Sequence, residues 1–169
     1  MSTSDTRPIV VLGLGNPIMG DDGVGVLAVE RLRDEWEVGE GVELVDGGTW
    51  GMTLLPTIEG ARKLILVDAI HSGGMPGADV VLSGPRLPEL LGPRLSVHQV
   101  DVIDLLTLAR LRGTLPPDTV ALGVEPRRIE MTTELTPAVA EGLARLPGRV
   151  AAQLQSWGAT CRHRHVAHA

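Results

Sequence analysis

Residues 8–25 read PIVVLGLGNPIMGDDGVG: an apolar run, a glycine-rich loop, and the head of a helix. Ile9, Val10, Val11 and Leu12 are continuously apolar rather than alternating, the pattern of a strand covered on both faces inside a parallel sheet. Gly13, Gly15, Asn16 and Pro17 end that strand. Beyond the loop, Val24, Leu27, Ala28, Leu32 and Trp36 recur at helical spacing while Glu30, Arg31, Arg33 and Asp34 take the other side, which predicts an amphipathic helix over 23–37.

The same alternation continues outward from this unit. Residues 42–45 form a second strand ending at Asp46; after GGTWGM, a helix over 53–59 leads into a strand over 64–67 that ends at Asp68. A third round is less regular, with a short strand at 80–82, a loop-like stretch over 85–92, and Val102, Leu105, Leu106 and Ala109 in helical register within 98–111. Residues 120–124 supply another strand and 137–157 a last helix, in which Pro147 and Gly148 predict a break or kink. Alternating strands and helices with buried strand runs call for an α/β three-layer sandwich, a twisted and mostly parallel sheet flanked by helices on both faces. The expected organisation is one domain over 1–157 and a flexible tail over 158–169, whose His163, His165 and His168 read as solvated rather than metal-binding.

Composition narrows the function. At 169 residues, with 43% hydrophobic and 21% charged, the chain has the usage of one folded domain rather than of a disordered or fibrous one. Three Trp with no Phe or Tyr leave no stacking platforms for single-stranded nucleic acid, and a net charge of −6 repels phosphate backbones. Cys161 is the single cysteine and can form no internal disulfide, which fits a reducing compartment, the cytoplasm. No apolar stretch approaches the ~18–20 residues of a membrane span, and no signal peptide is expected at the start. Neither nucleic acid nor membrane is an expected partner, and a monomer is the expected state.

In an open α/β sheet, ligands meet the carboxyl ends of the strands, where loops and helix N-termini gather. Carboxylates fall there three times: Asp21 and Asp22 after the first strand, Asp46 after the second, and Asp68 after the third. His98, at the start of the 98–111 helix, reaches the same edge if that helix returns across the sheet in the usual sense. A dinucleotide loop is the first alternative, but Ile18 stands where GxGxxG needs glycine, and two acids at the helix head would repel a pyrophosphate. GLGNP also resembles a motif of the peptidyl-tRNA hydrolases, yet the histidine stretch that follows there is missing and an acidic chain suits tRNA badly. Two carboxylates and an imidazole are a plausible ligand set for nickel, zinc, iron or manganese, although strand-end aspartates also cap helices and a lone histidine is often structural.

GLGNPIMGDDGVGVLAVERL, VELVDGGTWGM, KLILVDAI, SVHQVDVIDLL and ALGVEP, in that order between about residues 8 and 155, resemble the hydrogenase maturation proteases, the endopeptidases that trim nickel-iron hydrogenase large subunits. The resemblance implies a twisted sheet between helices, and an endopeptidase of aspartyl or metal-dependent type. Its substrate would be a large-subunit precursor already loaded with nickel, from which a C-terminal extension is removed. It further implies that Asp22, the second acid of GDDG, Asp68 of LILVDA and His98 of VHQ meet the nickel carried by the precursor, with Asp22 and Asp68 catalytic. Zinc or cadmium could stand in as a surrogate. Asp46, Gly47, Gly48 and Thr49 either flank the peptide channel, pairing with an extended substrate, or form an ordinary turn. Glu125 either binds substrate or is solvated at the same edge, and Asp21 reads as structural, opposing the helix dipole for about 0.3–1 kcal/mol. Cys161, in the tail, lacks the fixed base and oxyanion donors that a nucleophilic thiol needs. Two rivals remain at this point: a nucleotide- or nucleoside-binding α/β enzyme, and a non-catalytic nickel-dependent chaperone that uses the same carboxylates to hold the precursor.

Overall fold

Successive residues of the first strand, β1 (Ile9–Leu14), go to opposite faces of the sheet: Ile9 and Val11 join one apolar core, Val10 and Leu12 the other. Each is at most 1% exposed, so the continuous apolar run is the signature of a strand buried twice over. The coordinates are a computed structural model and describe residues 5–48, 51–84, 86–91 and 100–164.

Four further strands join β1. These are β3 (Val42–Gly48), β4 (Lys63–Ala69), β5 (Asp79–Ser83) and β6 (Thr119–Val124). The sheet order is β3-β1-β4-β6-β5, parallel throughout except for β5, which runs antiparallel to β6 at one edge. Helices α1 (Val24–Glu35) and α5 (Pro137–Ser156) cover one face; α2 (Leu55–Gly60), α3 (Leu87–Leu91) and α4 (Val100–Leu111) cover the other. This is the three-layer α/β sandwich with a mostly parallel sheet.

Four local expectations change. Trp36 leaves α1 with an extended backbone and opens β2 (Trp36–Val38), which pairs antiparallel with β7 (Cys161–His163). Its indole meets the His163 ring edge-on at 5.0 Å. A partner far away in the chain decides this, and helical spacing cannot register it. By the same pairing, residues 161–163 are not part of an unstructured tail: Cys161 is 2% exposed and belongs to the α1/α5 core. The stretch read as loop-like contains α3, whose Leu87 and Leu91 bury one helical turn apart. Finally, α5 runs unbroken through Pro147. Pro147 removes one helical hydrogen bond, but Leu143, Leu146, Val150 and Leu154 bury a continuous stripe on either side of it. Arg149 also donates to the carbonyls of Gly123 and Val80 at 2.8 and 2.9 Å, fastening the helix to β5 and β6. The helix then ends at Gly158, whose φ of 82° is the left-handed stop that glycine adopts freely.

Burial pushes the Cys161 thiol pKa up from its ordinary value. A disulfide reagent such as DTNB is therefore expected to titrate no thiol in the native protein within minutes and one per chain after denaturation. Rapid labelling of the folded chain would show that β7 does not stay docked.

Candidate active site

The loop from β1 to α1 is built by short-range bonds. The side-chain oxygen of Asn16 accepts from the Ile18 N–H, and its carbonyl from the Met19 N–H. A single 3-10 turn, Gly20–Gly23, then leads into α1 with all four residues buried. Gly25 has to be glycine, since a Cβ there would collide with the carbonyl oxygens of Val67 and Leu14. The head of α1 thus rests directly on the carboxyl ends of β1 and β4, and the GDDG turn packs against β4.

Within this turn, adjacent acids have opposite fates. Asp21, wholly buried, accepts four hydrogen bonds: from the backbone N–H groups of Arg127, Arg128 and Thr136 and from the Thr136 hydroxyl, at 2.8–3.0 Å. It latches the loop over 127–136 onto the β1 loop, a structural role carried by direct bonds rather than by the helix dipole. Asp22, 1% exposed, accepts the Asn16 N–H at 2.9 Å on Oδ2; its Oδ1 is buried with no hydrogen-bond partner among the described residues. A buried carboxylate oxygen left in that state is costly unless something else arrives to meet it.

Asp68, also 1% exposed, stands at the end of β4, next to β1 in the sheet, and its Oδ1 accepts the Ala69 N–H at 2.7 Å. Two buried carboxylates therefore sit at the carboxyl ends of neighbouring parallel strands. His98 and Thr49 lie outside the described residues. Among the described residues no group of three His, Cys, Asp or Glu side chains forms a metal-binding cluster, so a ligand set built on Asp22 and Asp68 needs a further donor. The orphaned Asp22 oxygen and the hard carboxylate donors are compatible with a divalent cation brought to this edge.

Asp46, Gly47 and Gly48 form no turn. They prolong β3 beside β1 through a register shift that leaves Gly47 as the extra residue, with Asp46 opposite Gly13 and Gly48 opposite Leu14. Asp46 is exposed and Gly47 buried, where a Cβ would press on Leu12. β3 is an edge of the sheet, the position at which an extended peptide can add as a strand.

Glu125 is buried rather than solvated. Buried just past β6, its Oε2 accepts from the Ser72 N–H and hydroxyl, both at 2.6 Å, and from the Gly74 N–H at 3.3 Å. Half-exposed His71 lies 3.6 Å from Oε1. Burial opposes ionisation of Glu125, but the Ser72 and Gly74 bonds and the neighbouring imidazole outweigh it and hold the carboxyl below its ordinary value of 4.5. With the folded-state value depressed, the stabilisation is complete above pH about 4.5 and is lost as pH falls through the lower folded-state value. Urea midpoints measured down the acid limb are expected to fall less steeply in Glu125→Gln than in the parent chain; parallel curves would exclude this carboxylate as a source of acid lability. In sequence, GVEP and HSGG carry no mark of this contact, which joins residues 53 positions apart.

The first β-α loop also settles the nucleotide alternative: buried carboxylates occupy the helix head where a pyrophosphate would have to bind. Fold and site together define an open α/β class of protein whose carboxyl edge carries buried acids rather than phosphate-binding glycines. A family model described as hydrogenase maturation protease matches residues 26–153. The hydrogenase 2 maturation protease of Escherichia coli K12 is 34% identical over 161 residues, covering 95% of this chain and 98% of the relative. The hydrogenase expression/formation protein HupM of Azotobacter chroococcum is 35% identical over 157 residues, 87% of this chain and 75% of the relative. Among solved structures, the hydrogenase maturating endopeptidase HybD from E. coli superposes with a TM-score of 0.87 at 34% identity, over 93% of this chain and 98% of that one. A nickel-iron hydrogenase maturation protease HybD from Thermococcus kodakarensis gives 0.70 at 28% identity, over 87% and 98%. The chain belongs to the hydrogenase maturation protease family, and so is a hydrolase of peptide bonds. No helix among the described residues is long and apolar enough to cross a membrane.

Proposed function

We propose that this chain removes the C-terminal extension of a nickel-iron hydrogenase large-subunit precursor, using the nickel already seated in that precursor as its recognition element. The observation that carries the reading is the buried Oδ1 of Asp22, without a hydrogen-bond partner among the described residues, at the carboxyl end of β1 beside the strand that carries Asp68. Asp22, Asp68 and His98 would meet the precursor's nickel, so that the substrate brings part of the active site with it. Zinc or cadmium would be surrogates at the same residues.

Hydrolysis then needs three things from the chain: a fixed peptide, a base for water, and a proton for the leaving amine. The edge of β3 at Asp46, Gly47 and Gly48, with Thr49 next in the sequence, would pair through its backbone with the extended segment preceding or following the scissile bond. A carboxylate of the Asp22/Asp68 pair accepts a proton from the attacking water as its oxygen joins the carbonyl carbon. The same proton passes to the amine nitrogen as the C–N bond breaks. A precursor without nickel lacks the anchor that places its bond against these carboxylates, so specificity doubles as a check on metal loading. The enzyme works as a monomer in the cytoplasm, where Cys161 remains a free thiol.

Incubation with nickel-loaded and nickel-free precursor, followed by the mass of the large subunit, tests this. Loss of one C-terminal peptide from the loaded form alone is expected. Binding without cleavage would make the protein a chaperone, and equal cleavage of both forms would remove nickel from recognition. His98→Ala is expected to abolish processing; a normal rate would take His98 out of the ligand set.

A further inference from the structure

Most large apolar side chains of this protein are buried, yet Ile18, Met52, Met75 and Met131 are 55%, 63%, 78% and 84% exposed. Each follows a different parallel strand, respectively β1, β3, β4 and β6, so all four rise from the carboxyl edge that carries Asp22 and Asp68. The strands they follow are neighbours in the sheet, in the order β3, β1, β4, β6, and their carboxyl ends span about 14 Å at the usual strand spacing. Four exposed apolar side chains on loops of the one edge that carries buried acids are uncommon on a protein that faces only water.

The loops that present Ile18, Met75 and Met131 are held in place. Thr132 donates to the Ile18 carbonyl and accepts from the Gly20 N–H at 3.0 and 2.7 Å, which sets Met131 beside Ile18. The Asp21 latch secures that loop again from 127 to 136. Glu125 clamps the loop of Met75 through Ser72 and Gly74. These buried carboxylates therefore explain why apolar side chains stay displayed rather than folding inward: the display is preorganised.

We infer that Ile18, Met52, Met75 and Met131 form an apolar collar that docks the folded surface of the hydrogenase precursor around its cleavage site; this rests on the function proposed above. The substrate of a peptidase is a protein, and the collar encloses the site where its bond must arrive. Loops that rise from strand ends spanning about 14 Å present a surface wider than the ~5 Å of a single extended strand, which fits a folded surface rather than the C-terminal segment alone. Methionine, unbranched and polarizable, suits contact with a surface whose details differ from one partner to another.

The test is the triple variant Met52→Gln, Met75→Gln, Met131→Gln, with Leu111→Gln as a control. Leu111 is 77% exposed at the far end of α4, away from this edge. Initial rates on nickel-loaded precursor are expected to show KM raised about tenfold in the triple variant, with kcat changed by less than about twofold, and neither altered in the control. If the unaltered enzyme cleaves the precursor and the triple variant shows the same KM, the collar is wrong and the proposed function stands. An equal rise in Leu111→Gln makes the effect generic and overturns the collar as well. A dimer in sedimentation that the triple variant dissolves would assign this face to a second copy of the chain and overturn precursor docking. Failure of the unaltered enzyme to cleave the loaded precursor removes the proposed function and the collar together.

Discussion

A chain carrying Asp22→Asn is expected to fold as the parent does and to cleave nickel-loaded precursor slower by a factor of about 10³. The two halves of that expectation come from the two oxygens of one carboxylate. Oδ2 accepts the Asn16 N–H, a bond that the amide oxygen of asparagine can keep, so the cost in stability should be about 1 kcal/mol or less. Oδ1 has no hydrogen-bond partner among the described residues, and a neutral amide nitrogen there can neither bind a divalent cation nor take a proton from water. Single-turnover processing followed by mass, alongside a thermal melt, separates the two effects. Processing within tenfold of the parent rate would exclude Asp22 from the chemistry.

One residue earlier, the expected outcome reverses. Asp21→Ala strips the acceptor from three backbone N–H groups and a hydroxyl, the Thr136 pair buried and the Arg127 and Arg128 amides part-buried. Buried donors without acceptors and a lost charge-assisted network together cost about 3–5 kcal/mol, or a drop in Tm on the order of 10 °C for a domain of this size. Activity measured well below the melt is expected to survive in part, with KM raised, since Asp21 holds the loop that carries Met131 but donates nothing to the reacting bond. A melt within 2–3 °C of the parent, at the ~2–4 °C per kcal/mol of such domains, would mean that the loop finds other partners. Neighbours of identical chemistry thus separate into a fold residue and a candidate catalytic residue, and the pair of variants tests that division inside a single turn of chain.

The fold was largely legible because its main signal is local. Ile9 to Leu12 and Leu64 to Val67 are apolar without alternation, which only a doubly covered strand requires, and residues 24–35 repeat at helical spacing. Where pairing is long-range, local signals misled. Trp36 continues the helical spacing of α1 but is taken by β7, 125 residues or more away, and Cys161 is buried by the same pairing. Pro147 breaks a helix by its own chemistry, but the buried stripe and the Arg149 anchors keep α5 continuous.

For the candidate site, Asp22, Asp46 and Asp68 could be placed at strand ends because strand polarity follows from the alternating order of elements. What each acid does could not be read in the same way. Burial of Asp21 by Thr136, and of Glu125 by Ser72, depends on segments more than 50 residues distant meeting above the sheet. The exposure of three methionines is likewise invisible in composition, since a methionine is as ordinary in a core as on a rim.

Sequence alone determined the layer order, the parallel sheet and the edge to which the acids would come, because backbone periodicity and strand polarity are properties of neighbouring residues. Only the tertiary structure decided which of two adjacent aspartates is saturated and which keeps an oxygen open, because hydrogen-bond satisfaction belongs to the space around a group and not to its place in the chain.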